Sequence, residues 1–304
     1  MKLLRTLLAA LAAPALAVTL SACGGDADAT NSEGLPEKLT VGVIPNVAPD
    51  TQNAKYEPLR AYLAGQLDTE VELFVATDYA GVVAALAAGK VDVAYVGGLT
   101  YAQARAQTEV EPLVTEVDKE TGTKEYLSGV VVRADSGFET LAEVVRAGGS
   151  FAFGDVSSTS GSLYPRLMLN AAGAECSPGA MESCPPLSGV SFTGGHDATA
   201  QAVLNGSADA GGLEVRILHR LERDGVVPEG ELKVIQTENV MGYPWIMRSA
   251  LGEKAAEAVT EAFLEMDDPE LLDLMQTTGY QRVGAEEYEP LVRHAEDLGL
   301  LSAG

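Results

Sequence analysis

The chain is poor in the groups on which most protein chemistry depends. Its 304 residues include three cysteines, three histidines and one tryptophan, and 20 basic residues stand against 44 acidic ones, a formal charge of −24. A surface so short of lysine and arginine repels nucleic acid and anionic lipid head groups, which excludes both as partners. The only histidines are His196, His219 and His294, and Ser158-Thr159-Ser160-Gly161 lacks the first glycine of a Gly-x-Ser-x-Gly elbow, so a serine hydrolase has little to work with. No histidine lies between Cys176 and Cys184, which leaves that pair too few neighbours for a metal site. No cofactor is expected. Beyond the first 22 residues no segment is long and apolar enough to cross a bilayer.

What is present begins with a leader. Met1-Lys2-Leu3-Leu4-Arg5 is a short basic start, Thr6 to Leu20 is apolar but too short for a membrane span, and Leu20-Ser21-Ala22-Cys23 closes it. This resembles a bacterial lipoprotein signal with its lipobox. The resemblance implies a signal peptide over 1–22, cleavage before Cys23, a diacylglycerol on its thiol, and a protein anchored by lipid at the extracytoplasmic face of the cell membrane. A plain secretory signal with Cys23 incidental is the alternative. Residues 23–37 are polar and without period, a flexible tether. Losing Lys2 and Arg5 leaves 18 basic against 44 acidic residues, a mature charge of −26. With Cys23 lipidated, Cys176 and Cys184 are the remaining pair, and an oxidising compartment favours a disulfide between them around a loop holding Pro178 and Gly179.

The rest reads as two domains. Strand patterns at 39–44, 71–75 and 91–96 alternate with helical ones at 55–67 and 79–88. A second alternating block runs from about 129 to 236, with strands at 151–153, 189–192 and 208–212 and helices after the first two. Such alternation predicts an α/β fold in which each domain is a mainly parallel sheet flanked by helices, with ligands beyond the carboxyl ends of the strands. Three stretches of helical period, 253–266, 269–277 and 285–298, have no strands to complete a new sheet and return to cover the first domain. Domain one is therefore 38–128 plus 240–304 and domain two 129–239, joined by two crossovers near 126–133 and 236–247.

Residues 155–165, Asp-Val-Ser-Ser-Thr-Ser-Gly-Ser-Leu-Tyr-Pro, are the most informative stretch. Ser158, Thr159 and Ser160 fall where a short buried strand hands over to a helix. The first backbone N–H groups of a helix have no partner within it, and the helix dipole adds about half a positive charge, so a tetrahedral oxyanion can be held there without a formal cation. Ordinary N-capping by one of the hydroxyls is the plainer reading.

Four segments in order carry a further resemblance. They are the Asp-x-x-Ser-Thr-Ser-Gly-x-Leu-x-Pro run at 155–165, Asp92 to Ala104 around Gly97-Gly98-Leu99-Thr100-Tyr101, the Gly194-Gly195-His196-Asp197 turn, and Tyr243-Pro244-Trp245. From about Leu39 to Leu300 the chain resembles the substrate-binding proteins of ABC importers, of the two-domain type II kind, in the family that binds phosphate, phosphite or phosphonates. That implies a monomer which captures a phosphorus oxyanion between its domains and delivers it to a permease of the inner membrane. By this resemblance Ser158, Thr159 and Ser160 donate to the ligand oxygens, His196 takes another, and Tyr56 and Tyr101 are phenols that donate across the cleft. Glu214 lies where relatives place a polar or acidic group near the far end of the ligand; it could pair with an amine, accept a proton from a protonated oxyanion, or simply pair with Arg216. Tyr62 and Tyr95 read as core. Where relatives of small phosphorus oxyanions tend to carry an aspartate before the Tyr-x-Trp run, this chain has Met241-Gly242, so no ligand contact carries over there. A lipid-anchored sensor for a signalling partner is a competing reading, and a serine hydrolase a third.

Overall fold

The computed structural model describes residues 30–47, 49–178 and 180–301. The leader, Cys23 and residues 24–29 of the tether lie outside the described residues, while the rest of the stretch read as a flexible tether is packed down: Asn31 Nδ2 donates to the Leu67 carbonyl at 2.9 Å and Leu35 is fully buried. In chain order the first part runs β1 (Lys38–Val43), α1 (Pro49–Leu67), β2 (Glu70–Val75), α2 (Tyr79–Ala87), β3 (Val93–Tyr95), α3 (Gly98–Gln107) and β4 (Val110–Asp118). A second part follows as β5 (Glu125–Arg133), α4 (Leu141–Arg146), β6 (Ser150–Phe153), α5 (Tyr164–Ala171), β7 (Gly189–Phe192), α6 (His196–Leu204), β8 (Ala210–Glu214), α7 (Val215–Arg223) and β9 (Leu232–Met241). The chain then returns through β10 (Pro244–Arg248), α8 (Glu253–Leu264), α9 (Pro269–Leu274), β11 (Thr277–Arg282) and α10 (Glu289–Asp297). No helix among the described residues is long and apolar enough to cross a membrane.

Two sheets result, ordered β11-β4-β10-β3-β1-β2 and β7-β6-β8-β5-β9. Both are mixed. Parallel pairing joins β1 to β2 and β3 in the first and β6 to β7 and β8 in the second, while β4, β5, β9, β10 and β11 run antiparallel to their partners. The parallel strands come from the alternating segments that the sequence shows most clearly, because each βα unit must cross back over the sheet.

Two sequence expectations are corrected here. The crossings read at 126–133 and 236–247 are mostly strand: β5 and β9 pair from Glu125 with Met241 to Arg133 with Leu232, and β10 sits between β3 and β4. The chain passes between the sheets in the short stretches 119–124 and 242–243, at the ends of that paired ribbon. The stretch after 247 also contains a strand, β11, which extends the first sheet by pairing with β4. Its pattern hid it, since Thr278, Gln281 and Arg282 are exposed while Thr277 and Tyr280 are buried, as befits an edge strand.

The first sheet has one large core in which Trp245 stacks on Phe263 at 4.4 Å and tilts against Tyr95 at 5.2 Å. Tyr95 is core as expected. Tyr62 is only half-buried and donates its hydroxyl to the Ala262 carbonyl on α8 at 2.7 Å, so it ties α1 to α8. The second sheet is covered on both faces: Val130 and Val132 face Phe151, Phe153 and Leu169, whereas Val131 between them faces Leu213 and Ile217. Cys176 and Cys184 are joined by a disulfide, Cα atoms 4.2 Å apart, and pack into the first of those faces.

Candidate functional site

The serine-rich turn is built by local bonds. Asp155 accepts from the Ser157 N–H at 2.7 Å, and Ser158 caps the following turn by accepting from the Gly161 N–H at 3.0 Å. Residues Thr159–Leu163 form a widened π-helical turn before α5. The Gly154 N–H donates to the Gly161 carbonyl at 2.8 Å, which folds the turn back on the end of β6. A Cβ on Gly161 would lie 2.9 Å from Ser158 Oγ and 3.2 Å from Gly154 Cα, so only glycine fits without a shift.

This turn meets the first sheet directly. Thr159 Oγ1 accepts from the Leu99 N–H at 2.9 Å in the first turn of α3, and the Thr100 hydroxyl donates to the Ser157 carbonyl at 3.0 Å. The Tyr79 N–H at the start of α2 reaches Asp155 at 3.4 Å, and the His196 N–H at the start of α6 donates to the Asn46 carbonyl at 3.1 Å. Several helix starts, with their partly positive N–H groups, therefore crowd the same junction of the two sheets. The cleft is shut.

Inside it, five buried polar atoms have no hydrogen-bond partner: Tyr79 Oη, Tyr126 Oη, Ser157 Oγ, Ser160 Oγ and His196 Nε2. Tyr79 approaches the Ser158 hydroxyl and Tyr126 the Ser160 hydroxyl, close enough to interact but without the distance and angle of a made hydrogen bond, and a Cβ on Gly161 would stand 3.3 Å from the His196 ring. Burial pushes both phenols well above their ordinary range, which keeps them protonated. Burial also lowers His196, more than the nearby Glu214 raises it, so the imidazole is neutral. Its Nδ1 accepts from the Glu214 backbone N–H at 3.4 Å, which places the ring proton on Nε2. The five unpartnered groups are thus neutral donors, and leaving buried donors unpaired costs about 1–3 kcal/mol each. An acceptor with oxygens on several sides can complete such a cluster.

The structure brings Ser158, Thr159, Ser160 and His196 together, with Thr159 already holding α3. Tyr101 does not join them: it packs edge-on against Tyr288 at 5.3 Å, beside Arg105. Tyr56 lies beyond Glu214, in a small chamber with Tyr95 and Arg216, where burial pushes its phenol up to about 12. Glu214 adjoins the cluster through its backbone, but its carboxylate is taken by Arg216 Nε and by the Tyr243 hydroxyl at 2.7 Å. Burial opposes its ionisation, and Arg216, His196 and Tyr243 outweigh that, holding the carboxyl below the ordinary range. A cavity of about 770 Å3 lies outside this group, lined by Lys55, Arg216, Arg220 and neighbouring charges, and it contains none of the unpartnered hydroxyls.

Sequence reasoning missed Tyr79, Tyr126 and Ser157. The first had a signal, because Thr77-Asp78-Tyr79 follows β2 and opens a helix capped by Asp78, which accepts from Gly81 at 2.7 Å. Tyr126 stands at the start of β5, beside the first crossing between sheets. Ser157 precedes the hydroxyl run by one residue.

Known proteins resemble this chain in sequence and in fold. A family model described as "ABC transporter, phosphonate, periplasmic substrate-binding protein" matches residues 41–288. The "Phosphate-import protein PhnD" of Mycolicibacterium smegmatis is 32% identical over 262 residues, 84% of this chain and 81% of that protein. The "Probable ABC transporter phosphite binding protein PhnD1" of Prochlorococcus marinus is 25% identical, covering 87% of this chain and 89% of that one. The solved structure of PhnD1 from Prochlorococcus marinus in complex with methylphosphonate superposes with a TM-score of 0.76 at 23% identity, over 87% of this chain and 99% of that one, which shows the shared two-domain α/β fold of periplasmic binding proteins.

Proposed function

The chain belongs to the family of periplasmic substrate-binding proteins of phosphonate ABC transporters, and from that premise we propose how this member works. It captures a small phosphorus oxyanion, of the phosphate, phosphite or phosphonate class, between its two sheets outside the cytoplasm and hands it to an ABC permease, held at the membrane by a lipid on Cys23. The observation that carries this reading is the set of buried, partnerless neutral donors on Tyr79, Tyr126, Ser157, Ser160 and His196. Donors alone, without a free cation, suit a ligand rich in acceptor oxygens, and closure over it excludes water and strengthens each bond. Relatives named for phosphate import and phosphite binding support the same class.

In this reading the protein binds its ligand without chemistry, the role of a substrate-binding transport component. No serine hydroxyl reaches His196 Nε2, and His196 Nδ1 faces a backbone N–H instead of a carboxylate, so the bonds of a nucleophilic triad are missing. Titration calorimetry of the ligand-stripped mature protein against phosphate, phosphite and methylphosphonate tests the assignment. Saturable one-to-one binding of at least one is expected, and heats of dilution alone for all three would refute it.

A further inference from the structure

Next to the donor cluster lies a group that anion capture leaves unused. Glu116 and Asp118 project from β4 of the first sheet and Glu214 from the end of β8 of the second, each at most 2% exposed. Three carboxylates drawn together away from water demand a cation. Arg216, 5% exposed, supplies it: Nη1 donates to Asp118 at 3.0 Å, Nη2 to Glu116 and Nε to Glu214. The rings of Tyr126 and Tyr243 pack 5.4 and 5.6 Å from its guanidinium carbon. The backbone N–H of Glu214 bonds His196, so this carboxylate cage begins one residue from the proposed anion cradle.

We propose that Arg216 is a specificity-determining residue: the chain's own guanidinium occupies the place beside the cradle that a ligand's amine would otherwise take. The site then accepts phosphorus oxyanions without a charged tail and disfavours aminoalkylphosphonates. This inference rests on the oxyanion reading above. An ammonium group extending toward Glu214 meets a like charge and carboxylate oxygens that already have donors, whereas a tailless ligand leaves the cage undisturbed. Arg216 stands in the first turn of α7, which follows β8 of the second sheet, and two of its partners lie on β4 of the first, so bringing the sheets together completes its pairing whether or not the ligand carries a cation.

Calorimetric titration of the mature protein with methylphosphonate and with 2-aminoethylphosphonate tests this. The parent is expected to bind methylphosphonate at least about tenfold more tightly, one lost charge-assisted contact. Arg216→Ser, which frees the cage and leaves room, is expected to shift that ratio toward the amine by about tenfold or more. A parent that binds the amine-bearing ligand as tightly as methylphosphonate overturns the inference, and this comparison needs no variant should Arg216→Ser fail to fold. An unchanged ratio in a folded Arg216→Ser overturns it as well. A parent that binds none of phosphate, phosphite and methylphosphonate removes the oxyanion reading itself, and this inference with it.

Discussion

Glu116 shows how much a single side chain here depends on its surroundings. Burial pushes its carboxyl up to about 7, against the pull of Arg216 and the Tyr95 hydroxyl, which donates to it at 2.7 Å. Because the folded value lies above the unfolded one, Glu116 adds stability that is fully present below about pH 4.5 and is lost as pH rises through about 7. Glu116→Gln cannot lose it. Its melting temperature, taken as a difference from the parent, is therefore expected to rise from pH 5 to pH 8; a flat or falling difference would contradict the account. His196 acts in the opposite sense, since its lowered value means that stability is lost as pH falls below about 6.5. At this scale the sequence was legible where function follows from local backbone: Ser158, Thr159 and Ser160 needed only a strand giving way to a helix. It was illegible for Tyr79 and Tyr126, because where a phenol points depends on sheet register and on how the two sheets meet. Arg216 was visible only as the neighbour of Glu214; its bonds to Glu116 and Asp118 span about a hundred residues of sequence.

Among the elements, the turn between β6 and α5 carries the greatest constraint. Gly161→Ala places a methyl group against Ser158 Oγ and the Gly154 backbone, so the turn must open and carry Ser160 away from Tyr126. Methylphosphonate affinity is expected to fall by at least about tenfold, as for one charge-assisted bond, with a lower melting temperature. Parent-like affinity in that variant would show that the turn's geometry does not matter. Gly242 is constrained as tightly, since a Cβ there would lie 2.6 Å from Thr115 Oγ1 and 2.7 Å from the Lys124 carbonyl. The alternating βα segments were readable because apolar strands and helical periods succeed one another. β5, β9, β10 and β11 were not, as long antiparallel strands that join or edge the sheets resemble connections in a one-dimensional pattern.

For the whole molecule, closure is the feature that matters. Bonds from Thr100 to Ser157, from Leu99 to Thr159 and from Arg216 to Asp118 all run between the sheets, while only 119–124 and 242–243 connect them covalently. Ligand that binds the shut form pulls the population toward it. Small-angle scattering is expected to show a smaller radius of gyration at saturating methylphosphonate than without ligand; equal radii would speak against closure on binding. The central claim is that neutral buried donors hold the anion, and it is tested most directly by the methylphosphonate Kd of Tyr126→Phe beside that of Tyr101→Phe. Removing the donor from Tyr126 is expected to weaken binding about ten- to a hundredfold, from about 1.5–3 kcal/mol for a hydrogen bond to a charged group, while Tyr101→Phe binds as the parent does. Parent-like affinity in Tyr126→Phe, or an equal loss in both variants, would contradict it.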